Sequence, residues 1–288
     1  MGVVALGSVR SCGVTTVALA LAATWTSDRE VLLVEADLAG GTLAASAGWS
    51  PEPGLVSLAA AARRGGDPTM VWDHCHHLPG GAAVLAGPAL ADQARSALGM
   101  LGAVMARLDE LDADVLVDCG RLDPASAAFA TWEHAGRRVL VGRPHLPDLQ
   151  ALATWFDARA VDVGQVGLVM VGDGQYSDAE IAETLGSEVL ARVPWDQRAA
   201  DALVALPASA RELRLAPLVR TVRTLSDHLA GDDPGGTSSL AVEAEAGKPD
   251  AAPAASRTVS VRSRVWRGLR VSGPSPSHNG SEPEGVAR

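Results

Sequence analysis

Lysine is almost absent from this sequence of 288 residues. Lys248 is the only one, and the other strongly basic side chains are all arginine. A general preference for arginine over lysine explains most of this pattern. It does not explain Val14, which stands where a phosphate-binding loop has lysine, because the same preference would place arginine there. The shortage excludes any site within residues 1–230 that depends on a lysine ammonium group.

Cysteines, aromatic residues and long apolar runs are also scarce. The three cysteines, Cys12, Cys75 and Cys119, have neither metal-type pairing nor a disulfide framework, which indicates a reducing cytoplasm. No apolar run approaches the roughly 20 residues of a bilayer-spanning helix. Aromatic residues make up 3% of the chain, so we expect an aliphatic core. The sequence therefore predicts a cytoplasmic protein.

The net charge of −10 is unevenly distributed. Residues 231–288 contain seven acidic and seven basic side chains, so the whole excess of negative charge belongs to residues 1–230. Nonspecific binding to nucleic acid requires a basic surface field. We therefore expect no nonspecific nucleic-acid binding by the folded part of the chain.

Short apolar runs alternate with alanine-rich stretches that have a helical pattern. The runs are continuous, as is typical of strands covered on both faces. They predict an α/β domain over residues 1–230, with a doubly wound, mostly parallel sheet of seven or eight strands. The predicted strands are Val3–Leu6, Val31–Glu35, Ala83–Ala86, Asp114–Asp118, Arg138–Gly142, Val166–Val171 and Val189–Val193. The predicted helices are Thr15–Trp25, Leu55–Arg64, Ala91–Leu111, Ala125–His134, Pro147–Ala158, Asp178–Leu185, Gln197–Leu206 and Pro217–Leu229.

A disordered tail is predicted for residues 231–288, because much of it is rich in glycine, proline and small or charged residues. Its segment 256–271 contains five arginines and, on a helix, one apolar face. Such a segment can contact anionic lipid at the inner face of the membrane, or an acidic partner. The alternative is a weakly basic disordered tail, which Gly268 favours because glycine weakens a helix by about 1 kcal/mol.

The segment GSVRSCGVTT, residues 7–16, has the outline of a phosphate-binding loop between a strand and a helix. Gly13 would allow close approach of the backbone to phosphate, Thr15 would bind Mg²⁺, and Thr16 would cap the helix or contact phosphate. Val14 occupies the position of the usual lysine. Loss of that charge-assisted hydrogen bond costs about 1.5–3 kcal/mol if nothing replaces it.

Acidic residues follow two further predicted strands. Glu35 and Asp37 end the second strand, and Asp118 ends the strand in DADVLVDCGRLDP, with Arg121 and Asp123 in the loop that follows. The carboxyl ends of parallel strands border the crevice in which α/β proteins bind ligands. Asp37 could orient an attacking water or hold a metal-bound water. Asp118 is the right kind of residue for a carboxylate near Mg²⁺. The structural alternative for each acid is a helix cap or a solvated loop residue.

Two other features carry weaker hypotheses. The stretch DHCHH, residues 73–77, would place His74 and His76 on one face of a strand, and Cys75 and His77 on the other. Two ligands on each face leave a metal site short of a third. Cys119 is redox-sensitive if exposed, but a small residue packed beneath the loop is the more common role.

Several blocks in one order resemble the ParA/MinD group of P-loop ATPases over about residues 1–230. A similar actinobacterial branch, described as chromosome-partitioning, MinD-like or CpaE-like, has the loop KGSPGVTT, with valine before two threonines. Besides the loop, the blocks are VEADLAGGTLA, PGLVSLAAAARRG, VDCGRLDP, VGLVMVGDG, AEIAETLG and VPWDQRAADAL.

The resemblance implies ATP or ADP with Mg²⁺ as the cofactor. It implies Asp37 and Asp118 as catalytic residues, with Thr15 and Asp118 as metal ligands. The implied nucleotide-binding residues are Arg10, Ser11, Gly13, Thr15, Thr16 and Pro194, the last in a loop that lines adenine.

Three positions depart from the family pattern. The signature lysine that reaches across a nucleotide-bound dimer falls at Val9, the loop lysine falls at Val14, and the asparagine that contacts adenine falls at Gly172. Arg10 lies one position after the signature lysine and could supply a cation. The departures put nucleotide-dependent dimerisation and turnover in question.

Three functional hypotheses follow. The first is a weak ATPase that positions a chromosome, a plasmid, or pilus or secretion machinery. It would do so by forming a homodimer or by binding a surface or a protein partner. The second is a pseudo-ATPase scaffold that does not hydrolyse nucleotide. The third is another nucleotide-dependent enzyme, such as a ligase or reductase subunit, which the lack of a second catalytic centre in the sequence disfavours.

Overall fold

Continuous apolar runs produce strands that bury side chains on both faces. In the computed structural model, which describes residues 2–63, 65–159, 161–205 and 215–231, these strands form one sheet. The strands are β1 (Val3–Ser8), β2 (Glu30–Glu35), β3 (His76–His77), β4 (Ala83–Leu85), β5 (Ala113–Arg121), β6 (Arg137–Gly142), β7 (Val166–Val171) and β8 (Val189–Val193).

The sheet has the order β3-β4-β2-β5-β1-β6-β7-β8. The pairs between β4 and β8 are parallel, and β3 pairs with β4 in the antiparallel direction. The doubly wound, mostly parallel α/β fold is therefore confirmed. The two-residue strand β3 was not predicted, because a segment this short carries no periodicity of its own.

The sheet is covered by helices on both faces. The helices are α1 (Val14–Thr24), α2 (Leu43–Ala47), α3 (Leu55–Ala62), α4 (Ala91–Met100), α5 (Gly102–Met105), α6 (Ala127–His134), α7 (Leu146–Arg159), α8 (Asp178–Leu185), α9 (Gln197–Ala205) and α10 (Pro217–Gly231). Neighbouring residues of a strand point to opposite faces. Leu32 and Val34 accordingly pack in the cluster under α3 to α8, whereas Leu33 packs in the cluster under α1, α9 and α10.

The predicted helix Ala91–Leu111 is wrong as a single element. The structure has α4 and α5 on either side of Leu101, followed by a 3-10 helix at Leu108–Glu110. Gly99 and Gly102 weaken a continuous helix here. The break at Leu101 also allows that fully buried side chain to reach the core together with Val104.

Of the helices that the structure describes, none combines the length and apolar character of a bilayer span. The predicted disordered tail, with its basic segment 256–271, lies outside the described residues apart from Gly231.

The strand order determines which loops meet. In the parallel register, Asp118 of β5 lies opposite Leu6 of β1 on one side and opposite Glu35 of β2 on the other. The carboxyl ends of β1, β2 and β5 therefore lie side by side. This edge is where parallel α/β sheets bind ligands.

Candidate functional site

The β1–α1 loop, which we define as residues 9–13, turns the chain from the sheet into helix α1. Gly13 closes it in a left-handed conformation with φ of 95°, and an added Cβ there would meet no atom within 4 Å. The carbonyl of Gly13 accepts the first helical hydrogen bond, from Val17 N at 3.0 Å. The amides of the first helical turn have no partner within the helix, and such amides bind anions.

Hydrogen bonds hold this loop against the two strands beside β1. Leu122 N donates to the Ser8 carbonyl at 2.9 Å, and Ser8 Oγ donates to the Gly120 carbonyl at 3.2 Å. On the other side, Cys12 Sγ donates to the Val141 carbonyl at 2.9 Å. The position of the loop is thus fixed by β5 and β6 before any ligand binds.

The two positions at which the related family has lysine face the protein interior. Val14 is 5% exposed and packs in the core under α1, and Val9 is half-buried against the core on the opposite face. Arg10 and Ser11, between them, are exposed. The valines contribute to packing and supply no charge, so positive charge at the loop comes from Arg10 or from another element.

Asp118 is fully buried at the carboxyl end of β5. Its Oδ1 accepts a hydrogen bond from Gly120 N at 2.9 Å, whereas Oδ2 has no hydrogen-bond partner. Burial raises the pKa of this carboxyl to about 7, and the charges of Glu35 and Asp37 add to the rise. The Thr15 hydroxyl lies near enough to lower the pKa, although it forms no hydrogen bond of standard geometry with Oδ2. One buried oxygen is thus left for a cation or a proton.

Asp37 lies directly on the backbone of Gly120. A Cβ added to Gly120 would lie 2.0 Å from Asp37 Cγ, and Ala39 N donates to Asp37 Oδ1 at 2.8 Å. Burial raises the pKa of Asp37, whereas hydrogen bonding and the positive charge of Arg121 lower it. The predicted grouping of Thr15, Asp37 and Asp118 is therefore present around Gly120.

Replacing Gly120 by alanine should disrupt this grouping. Gly120 has φ of 55°, and the new methyl group would overlap the Asp37 carboxyl. We expect a loss of about 2–4 kcal/mol in the free energy of unfolding. Gly48→Ala is the matched control, since Gly48 has φ of 66° but open space around its Cβ position. Equal losses in urea unfolding of the two variants would contradict the contact between Asp37 and Gly120.

The position of Glu35 at the strand end predicts that it faces the crevice, and this prediction is wrong. Glu35 is 1% exposed, and its carboxylate accepts hydrogen bonds from Thr42 N at 2.7 Å, Leu43 N at 3.1 Å and Gly87 N at 2.9 Å. Burial raises its pKa, and the three amides oppose that rise. Glu35 therefore ties the loop after β2 to the loop after β4, which is a structural role.

A small apolar cavity of about 90 Å³ lies beside the β1–α1 loop. It begins at Gly13 and Thr16 and is closed by Pro194 and Trp195, which follow β8. Pro194 was predicted here; Trp195 was missed, although it stands next to Pro194 in the sequence. Trp195 is 61% exposed, and the guanidinium carbon of Arg143 lies 5.3 Å from the centroid of its ring.

The structure also places the DHCHH stretch, Cys119 and Gly172. His74 ends a 3-10 helix, with Nδ1 2.8 Å from Ser57 Oγ, and His76 stacks on Trp49 at 4.8 Å. Cys119 is buried in the core, which matches the packing role. Gly172 has φ of 81°, so its backbone conformation favours glycine over the asparagine of the related family.

The described residues contain no group of three or more histidine, cysteine or acidic side chains that could hold a metal ion by itself. Mg²⁺ at nucleotide sites, however, needs only one or two protein oxygens, because phosphates and waters complete its shell. The unpartnered Asp118 Oδ2, with the Thr15 hydroxyl nearby, fits that requirement.

The doubly wound sheet brings this loop and these acids to one edge. Among solved structures, the chain shares that fold with ParA and MinD ATPases. A ParA family ATPase from Chlorobium tepidum TLS superposes with a TM-score of 0.66 at 17% identity, covering 79% of this chain and 98% of that one.

Two MinD structures are also similar. MinD complexed with Mg-ADP from Pyrococcus horikoshii OT3 has a TM-score of 0.59 and 15% identity, covering 79% of this chain and 96% of that one. The MinC:MinD complex of Aquifex aeolicus has a TM-score of 0.57 and 12% identity, covering 81% and 97%. No protein-family model and no curated protein matches the sequence.

Proposed function

We propose that this chain is a ParA/MinD-type protein that binds ATP or ADP with Mg²⁺ at the β1–α1 loop. The observation that carries the proposal is the buried, unpartnered Oδ2 of Asp118 near the Thr15 hydroxyl at the N-terminus of α1. A buried carboxylate oxygen without a partner is costly unless a proton or a cation occupies it. The similar fold of MinD complexed with Mg-ADP supports the same ligand class.

In the proposed site, each residue interacts with one part of the nucleotide. The backbone at Gly13 and the first-turn amides at Thr15 and Thr16 bind phosphate, with Arg10 and Ser11 at the open side of the loop. Thr15 and Asp118 hold Mg²⁺, which would neutralise phosphate charge. The apolar cavity next to Pro194 receives the base.

Asp37 is the proposed positioning group for the attacking water. Its carboxylate is held by Ala39 N and by contact with Gly120, so it is already oriented at the edge of the loop. Turnover is expected to be slow, since phosphoryl transfer depends on charge stabilisation and Val14 supplies none.

Nucleotide binding would control association of the protein with itself or with a protein partner. The MinC:MinD complex is a structure of the same fold with a protein partner. On this basis we propose a role in positioning a chromosome, a plasmid, or pilus or secretion machinery, as in the actinobacterial branch with a GVTT loop. Peripheral membrane contact through segment 256–271 belongs to the same proposal.

A second candidate is a pseudo-ATPase scaffold that binds nucleotide without hydrolysing it. The specific observation in its favour is the burial of Val14, whose side chain belongs to the core and not to the loop surface.

Calorimetry with ATP-Mg²⁺ and ADP, combined with a phosphate-release assay, tests the proposal. We expect micromolar binding that weakens at least about tenfold when Mg²⁺ is chelated, since a charge-assisted contact is lost. Asp37→Ala should retain binding and lose phosphate release, with the exposed Asp109→Ala as control. Binding without any release in the unmodified protein would favour the scaffold, and absence of binding would refute the nucleotide site.

A further inference from the structure

Two arginines stand at the ends of the strands that flank β1. Arg121 is the last residue of β5 and lies opposite Ser8 in the parallel register. Arg143 directly follows β6, whose Val141 also lies opposite Ser8. Both arginines therefore start next to the β1–α1 loop, which contains no lysine.

Arg121 is already engaged by an acidic group. Its positive charge acts on Asp37 and lowers the pKa of that carboxyl. With Asp37 it lines a hollow of about 350 Å³ on the side of the loop away from the apolar cavity. Asp37 thus compensates part of the charge of Arg121 within the protein.

Arg143 is not compensated in this way. Within the described ranges it makes no ion pair, and its buried Nε has no hydrogen-bond partner. The guanidinium carbon instead lies over the ring of Trp195, a residue of the apolar cavity. It also lies close enough to the loop for its charge to lower the pKa of the Cys12 thiol. Burial raises that pKa by more, and the negative charge of Asp148 also raises it.

We infer that Arg143 supplies the positive charge for the nucleotide phosphates that a lysine at position 14 would otherwise supply. The inference rests on the proposed nucleotide site. Arg143 acts on Cys12 of the loop that would bind phosphate, and it contacts Trp195 at the cavity that would bind the base. A guanidinium can bind two phosphate oxygens at once, and the cation–π contact with Trp195 holds this one beside the apolar cavity. Val14 is buried and neutral, whereas Arg143 at the end of the neighbouring strand carries a positive charge.

Calorimetry at several salt concentrations tests this assignment on the full chain. ADP and ATP-Mg²⁺ are titrated into the unmodified protein, Arg143→Gln, Arg143→Lys and the exposed control Arg223→Gln. We expect Arg143→Gln to weaken both nucleotides about 10- to 100-fold and to reduce the salt dependence of the affinity. Arg143→Lys should recover part of the affinity, and Arg223→Gln should leave it unchanged.

The outcomes separate the two proposals. If the unmodified protein binds ADP and Arg143→Gln binds it equally well, the role of Arg143 is overturned and the nucleotide site stands. An affinity loss with unchanged salt dependence overturns it too, because Arg143 would then act on the base through Trp195. If the unmodified protein binds neither nucleotide, both proposals fall. Coincident thermal unfolding curves establish that the variants are folded.

Discussion

Asp118→Asn is expected to stabilise the protein at neutral and alkaline pH. The wild-type carboxylate is fully buried, with a pKa raised to about 7 from an ordinary value of 3.8, mainly by burial. Asparagine keeps an oxygen for the hydrogen bond from Gly120 N and carries no charge. The free energy of unfolding should increase by up to about 4 kcal/mol above pH 7, which is about 5–15 °C in Tm.

The direction of the pH dependence follows from the raised pKa. Between pH 4 and 7 the folded protein holds a proton that the unfolded chain releases, so wild-type stability falls as the pH rises through this window. The advantage of Asp118→Asn should therefore be near zero at pH 4, increase up to pH 7 and stay constant above it.

Thermal unfolding from pH 4 to pH 8 measures this effect. The exposed Asp109→Asn is the matched control, and its melting temperature should follow the wild type throughout. Mg²⁺ with ADP should raise the wild-type Tm and leave that of Asp118→Asn almost unchanged, because the proposed metal ligand is gone. A lower Tm of Asp118→Asn at pH 8, or a difference independent of pH, would contradict the burial argument.

Glu35→Ala is expected to have the opposite effect. The substitution leaves the amides of Thr42, Leu43 and Gly87 without their acceptor, and the last two of these hydrogen bonds are buried. Unsatisfied buried donors cost about 1–3 kcal/mol each, and relief of the buried charge offsets part of that cost. We expect a loss of about 3–5 kcal/mol and, since the loops after β2 and β4 separate, weaker nucleotide binding.

Urea unfolding with Glu30→Ala as control tests the role of Glu35. Glu30 is the exposed first residue of the same strand, so its loss should cost less than about 0.5 kcal/mol. Glu35→Gln should fall between the two, because its NH₂ group would oppose one of the amide donors. A loss below 1 kcal/mol in Glu35→Ala would mean that the two loops do not depend on this carboxylate.

The fold was largely predictable because its strands are buried on both faces. The runs Val166–Val171 and Val189–Val193 match β7 and β8 to the residue. Helix ends were less certain, and the predicted helix Ala91–Leu111 failed at Leu101. Its local pattern is helical throughout, but contact with the core under α4 and α5 favours a break.

The candidate site was predictable in part. Thr15 and Asp37 follow β1 and β2, Asp118 lies near the carboxyl end of β5, and parallel pairing brings such ends together. The sequence assigned a role in hydrolysis to Asp37 alone, but it predicted that Glu35 also faces the crevice, because both acids stand at the end of the same strand. Their difference depends on which loops contact each side chain, and those contacts are not local in sequence.

The sequence by itself determined the parallel sheet, the glycine turn into α1 and the absence of a lysine from residues 1–230. These properties depend on residue type and on spacing along a short stretch of chain. Only the tertiary structure decided that Val14 is buried, that Asp118 keeps an unpartnered oxygen and that the Arg143 guanidinium lies over the ring of Trp195. Each of these depends on packing between elements distant in sequence, which no local pattern encodes.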